Sequence, residues 1–180
     1  MSEVYQMTVA GCKRELPVCP VDDKLDIAAF IMFGDVELTE RSAAELLGKC
    51  PEHDVLITAE AKGIPLCYEM ARQGCRKYVV ARKGIKLYMR NPIHVEVKSI
   101  TTSNVQTLYL SEEDYLSLKG KRVLIVDDVI STGESLSALE KLVQEAGGNI
   151  VGCASVLAEG DAAKRDDIIF LEPLPLFFKG

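Results

Sequence analysis

Residues 123–135 read Val-Leu-Ile-Val-Asp-Asp-Val-Ile-Ser-Thr-Gly-Glu-Ser, and this run constrains the fold more than any other. Val123–Val126 predicts a buried strand, followed at its C-terminal end by the carboxylates Asp127 and Asp128. A short Ser/Thr/Gly loop then leads into a helix expected over Ser135–Glu145 and closed by Gly147-Gly148. Backbone N–H groups at such a helix start form an anion cradle, which the hydroxyls of Ser131, Thr132 and Ser135 extend. Gly133 lets the backbone come close to the anion. Ionised carboxylates only accept hydrogen bonds, so Asp127 and Asp128 suit the diol of a sugar attached to a phosphate in the cradle.

Apolar strands and amphipathic helices alternate along the rest of the chain. Strands are expected at Asp54–Thr58, Tyr78–Ala81 and Ile150–Leu157, and helices at Ile64–Arg72 and from Thr39, read as a cap, to Gly48. Asp26–Phe33 predicts a short helix, and Val4–Ala10 a strand. Residues 93–100 and 104–110 alternate apolar with polar and, turning at Thr102–Asn104, suggest a two-stranded ribbon. Ser111, with Asp114 three residues on, opens a short helix ending at Gly120. This alternation predicts an α/β fold with a parallel sheet, whose ligands bind beyond the C-terminal ends of the strands.

Composition narrows the function classes. With 180 residues and 48% hydrophobic content, the chain supports one domain with a real core. The net charge of −6 argues against nucleic acid as a partner. No apolar run approaches the ~20 residues of a membrane span, and the N-terminus lacks the apolar core of a signal peptide, so a cytoplasmic location is expected. Six cysteines contain no C-x-x-C pair and there are two histidines, which points to reduced structural thiols rather than zinc.

All thirteen positions of the 123–135 run fit the phosphoribosyl-pyrophosphate (PRPP) signature of the type I phosphoribosyltransferases, and the chain is read as resembling that family. The resemblance implies that Asp127 and Asp128 contact the ribose hydroxyls as catalytic residues, while Ser131, Thr132, Gly133, Glu134 and Ser135 hold the 5′-phosphate. Glu60-Ala61-Lys62-Gly63, after the strand Asp54–Thr58, resembles the family's pyrophosphate loop. Arg82, Lys83, Lys86, Arg90 and Lys98 oppose the single acid Glu96 over 17 residues, a local reversal in an acidic protein. Arg82-Lys83 resembles the basic dipeptide of purine phosphoribosyltransferases, so Arg82, Lys83 and Lys86 join the expected pyrophosphate contacts.

The implied architecture is a single phosphoribosyltransferase domain over 1–180. Its core lies at about 39–158, a hood is built from 1–38 and 159–180, and a flexible β-ribbon lid covers about 87–108. The implied activity is Mg²⁺-dependent transfer from PRPP to a purine base, with the metal held mainly by PRPP oxygens and the protein acting as a homodimer. For the base, Ile130 is expected to pack on a flat ring, and Glu159, after the strand Ile150–Leu157, to accept from an exocyclic amine. This favours adenine; xanthine, hypoxanthine/guanine and orotate are the alternatives. Lys62 stands where adenine enzymes commonly carry Arg, and Lys62-Gly63-Ile64-Pro65 is similar to orotate enzymes. The reading of another class is a regulator that binds PRPP without turning it over.

Overall fold

The structure is a computed structural model describing residues 3–98 and 105–179, so the turn expected at 102–104 lies outside the described residues, as does the Lys98 side chain. The strands are β1 (Val4–Val9), β2 (Cys12–Pro20), β3 (Leu25–Ala28), β4 (Val55–Ala59), β5 (Tyr78–Ala81), β6 (Ile93–Lys98), β7 (Val105–Leu110), β8 (Arg122–Ile130), β9 (Asn149–Glu159), β10 (Ile169–Leu174) and β11 (Leu176–Phe178). The helices are α1 (Val36–Lys49), α2 (Ile64–Gln73), α3 (Glu112–Leu118) and α4 (Glu134–Glu145).

At the centre is a parallel sheet in the order β10-β9-β8-β4-β5. Burial on both faces explains why its strands read as continuous apolar runs instead of alternating ones. Val123 and Ile125 pack on one face with Leu136, Leu139 and Leu142 of α4 and with Val95, Leu108 and Leu110 of the β6–β7 ribbon. Leu124 and Val126 pack on the other with Leu38 and Leu46 of α1 and Leu66 and Met70 of α2. The central sheet extends past residue 158, because Ile169–Leu174 adds an edge strand beside β9.

A second sheet, antiparallel and in the order β1-β2-β3-β11, joins the two ends of the chain. Here Asp26–Phe33 departs from the expected helix. Leu25–Ala28 is a strand, clasped between β2 and β11, with Ile27 opposite both Cys19 and Leu176. Pairing with a segment some 150 residues away overrides local periodicity. Residue Thr39 is not a cap either. Asp35 caps α1, its Oδ1 accepting from Leu38 N at 3.1 Å, while Thr39 Oγ1 donates to the Asp35 carbonyl at 2.7 Å. Arg14 of β2 holds the same Asp35 carboxylate at 2.6 Å, tying the antiparallel sheet to the core. Ser111 caps α3 as expected, accepting from Asp114 N.

The ribbon is antiparallel, with Ile93 opposite Leu110. The ribbon is fastened to α4: Lys141 Nζ donates to the Glu96 carbonyl at 3.0 Å, and Gln106 Nε2 to Ser135 Oγ at 3.4 Å. All six cysteines are free thiols, and Cys12, Cys67 and Cys153 are buried. No helix among the described residues is long and apolar enough to cross a membrane.

Candidate active site

The loops after β4, β5, β8 and β9 converge at the C-terminal edge of the parallel sheet. Strand β8 runs further than expected, through Ile130, so Asp127 and Asp128 belong to the strand itself and are held by its pairing. Asp127 lies opposite Ser155 and Val129 opposite Leu157; between them, Asp128 N donates to Asp127 Oδ1 at 2.9 Å. The side-chain alternation breaks at this point. Val126 and Val129 both pack toward the α1/α2 side, and Ile130 turns toward α4.

That break corrects one expectation. Ile130 is 4% exposed and sits in the core beside α4, so it cannot carry a ring-stacking face. Its neighbour Val129 takes the place facing the antiparallel sheet. Together with Ile27, Phe30, Ile31 and Leu174, Val129 forms the apolar wall of a cavity of about 370 Å³ whose polar lining is Lys62, Ser131 and Glu159. Glu159 lines this cavity from the end of β9. Phe30 and Ile31 went unnoticed in the sequence because their segment reads as helix.

Residues Ser131–Leu136, with Asp127, Val129 and Ile130, enclose a smaller cavity of about 110 Å³ at the start of α4. Ser131 lines both cavities, so the two share a wall. Gly133 is the helix cap at φ +81°, a left-handed conformation that costs glycine least. A Cβ there would also stand 3.0 Å from Arg165 Nη1.

The loop after β4 packs directly on the acids. At Gly63 a Cβ would lie 2.3 Å from Thr58 Oγ1 and 3.1 Å from Asp127 Oδ1, so only a glycine fits. Lys62 Nζ lies 3.2 Å from Asp128 Oδ2, an ion pair in which that buried oxygen has no aligned hydrogen bond. The Glu60–Ala61 peptide is cis. Glu60 turns away from the acids: its Oε2 accepts from Arg82 Nε at 2.8 Å and its Oε1 from the backbone N–H of Lys83. Arg82 also donates from Nη1 to Tyr88 Oη at 2.7 Å, and its backbone pairs with Tyr109 of β7. The Glu60 carboxylate therefore ties the β4 loop to the basic dipeptide Arg82-Lys83. Lys83 is exposed beside it and Lys86 half-buried.

Electrostatics follow from this packing. Burial, and then the adjoining Asp128 carboxylate, raise Asp127 well above the usual carboxylate range, with Lys62 pulling weakly the other way. Burial works to raise Glu60 too, but the Lys83 N–H and the Arg82 guanidinium outweigh it and hold Glu60 low. Among the described residues there is no cluster of three His, Cys, Asp or Glu able to cage a metal. Asp127 and Asp128, hard oxygen donors with one orphaned oxygen at Asp128 Oδ2, do suit a Mg²⁺ ion whose other ligands come from substrate oxygens and water.

Residues 33–174 match the family model of the phosphoribosyl transferase domain. Over 114 residues, 62% of its length, the chain is 37% identical to the hypoxanthine/guanine phosphoribosyltransferase of Methanococcus voltae, and it spans 56% of that protein. It is 35% identical over 118 residues to the adenine phosphoribosyltransferase of Rhodococcus jostii, matching 65% of this chain and 64% of that one. Over 110 residues it is 30% identical to the purine biosynthesis transcriptional repressor PurR of Bacillus subtilis, 61% of this chain and 38% of that protein. In fold it is similar to the adenine phosphoribosyltransferase of Thermoanaerobacter pseudethanolicus, with a TM-score of 0.66 and 21% identity across 94% of this chain and 95% of that one.

Proposed function

The chain belongs to the phosphoribosyl transferase domain family, and from that premise we propose that it transfers a phosphoribosyl group from PRPP to a purine base, releasing pyrophosphate. The observation that carries this reading is the wall shared at Val129 and Ser131: a small loop cavity at a helix start, lined also by Asp127, abuts a larger, mainly apolar one. A nucleotide needs that sequence of surroundings, anion cradle, diol acceptors and ring slot.

In the proposed reaction the bond from the anomeric carbon to pyrophosphate breaks as the bond to a base nitrogen forms, so no protein nucleophile is required. Positive charge develops on the sugar, where Asp127 and Asp128 accept from its hydroxyls and stabilise it. The loop Ser131–Ser135 holds the 5′-phosphate. Backbone N–H groups of Ala61, Lys62 and Gly63, with Lys83, Lys86 and the Glu60-oriented Arg82, face the departing pyrophosphate. When bound, Mg²⁺ would neutralise charge on the leaving group, and the acidic pair would hold it through substrate oxygens and water. The β6–β7 ribbon belongs to this reading as the lid that excludes water.

Glu159 favours adenine over hypoxanthine and xanthine, because a carboxylate oxygen in an apolar slot accepts from an exocyclic amine that those rings lack. The hypoxanthine/guanine relatives keep those bases as the alternative. A homodimer in the cytoplasm completes the proposal. The test is pyrophosphate release from PRPP with Mg²⁺ against a panel of bases. Turnover with adenine at least tenfold above the other bases is expected, and lost in Glu159→Ala; turnover confined to hypoxanthine and guanine would overturn the choice of base. The likeness to PurR supports a second reading, PRPP binding without turnover. Tight PRPP binding and no product with any base would establish it.

A further inference from the structure

A phosphate seated in Ser131–Ser135 meets an unfavourable charge balance. The loop itself holds no Lys or Arg, while Asp127 and Asp128 lie beside it. Helix α4 offers only the partial charge of its N-terminus, about half a unit. Lys62 is already turned toward Asp128.

One full cation does touch the loop. Arg165 follows the 3-10 turn Gly160–Lys164, on the connection from β9 to β10, and its Nη1 lies 3.0 Å from where a Gly133 Cβ would stand. The same connection begins at Glu159 in the apolar cavity, so it runs from that cavity to the Gly133 turn. Asp167 sets the direction of the guanidinium, accepting from Nε at 2.8 Å and from Nη2 at 2.7 Å. Those two bonds use the edge away from Nη1. With the Arg165 side chain 34% exposed and that of Asp167 60% exposed, the pair is solvent-screened and easily shared with a second anion. An arginine aimed by a carboxylate at a glycine whose Cβ it would crowd is a built arrangement, not a stray surface charge.

We propose that Arg165 is a phosphate-binding residue of this site, its Nη1 edge supplying the positive charge that the 131–135 loop lacks and Asp167 acting as its positioning residue. The proposal rests on reading that loop as the seat of the 5′-phosphate, and it deepens that reading. Arginine suits the role because its planar fork engages Asp167 and a phosphate oxygen at the same time.

The test is calorimetric titration of the full chain with ribose 5-phosphate and, separately, with pyrophosphate in Mg²⁺ buffer. In Arg165→Gln, ribose 5-phosphate is expected to weaken about tenfold or more while pyrophosphate stays within twofold. The salt dependence of ribose 5-phosphate binding should fall in step, and Arg165→Lys should recover part of the affinity. Unchanged affinity in Arg165→Gln overturns the proposal; so does equal weakening of both ligands, the mark of a mere brace. If Arg165→Gln fails to fold, Asp167→Asn decides: it removes the positioning contact, so ribose 5-phosphate should weaken about threefold or more with pyrophosphate within twofold, and unchanged affinity or equal weakening of both ligands overturns. Wild-type protein that binds pyrophosphate but not ribose 5-phosphate removes the loop reading itself, a distinct failure.

Discussion

Lys62 Nζ stands 3.2 Å from Asp128 Oδ2, joining a side chain that is 52% exposed to one that is 4% exposed. The βα loop after β4 thus supplies counter-charge to the acids of β8. Lys62→Met removes the cation paired with that buried oxygen and also a pull that lowers Asp127. The activity of Lys62→Met should therefore rise with pH along a limb displaced upward by a few tenths of a unit to one unit. Its KM for PRPP should grow about tenfold. Rate against pH for both proteins, at saturating base, is the measurement.

Asp127 gives a stability prediction opposite in sign to the activity one. Its value in the folded protein is raised, so between the ordinary carboxylate range, near ~4, and the raised value the folded state binds more protons than the unfolded. Stability from this group is full below that window and declines as pH climbs through it. Asp127→Asn cannot ionise. It should match wild type near pH 4, exceed it by about 1–2 kcal/mol at pH 8, and lose transfer activity by about a hundredfold or more. Thermal melts across pH 4–8, beside single-turnover assays, check both halves.

Gly63→Ala tests the contact of the β4 loop with β8. The new methyl would sit 2.3 Å from Thr58 Oγ1, which is fully buried and cannot step aside. A loss of about 1–3 kcal/mol is expected from overpacking. Adding Thr58→Ala should restore part of it. A double-mutant cycle by urea unfolding should give a coupling of at least about 0.5 kcal/mol.

Glu60→Gln tests whether Glu60 orients Arg82 or only neutralises it. The amide keeps the shape and loses the charge-assisted bonds at Arg82 Nε and Lys83 N. A roughly tenfold fall in kcat/KM with PRPP is expected, with base KM within twofold. Tyr88→Phe, which removes only the outer contact on Arg82 Nη1, should cost less than threefold. Equal effects of the two variants on initial rates would contradict this hierarchy.

How much of this was legible in the residues follows from range. Where partners lie close in sequence, the reading held: Ser111 caps α3 through Asp114, Tyr78–Ala81 is a strand with those bounds, and α4, expected over Ser135–Glu145, starts one residue earlier at Glu134. The family and the α/β fold followed from the 123–135 run. Elements decided by distant partners were opaque. Leu25–Ala28 becomes a strand through β2 and β11, and Phe30 and Ile31 reach the apolar cavity only because of that pairing. Ile130 misled for a subtler reason: side-chain alternation shifts across Asp127-Asp128, and no residue type announces such a shift. Arg165 stood in a polar stretch, Lys164-Arg165-Asp166-Asp167, with nothing to separate it from ordinary surface charge.

The wall contributed by Ile27–Ile31 depends on β3, and one flank of β3 is covered by Leu176–Phe178. A copy clipped before Leu176 would keep the parallel strands and their acids and bare that flank of the wall.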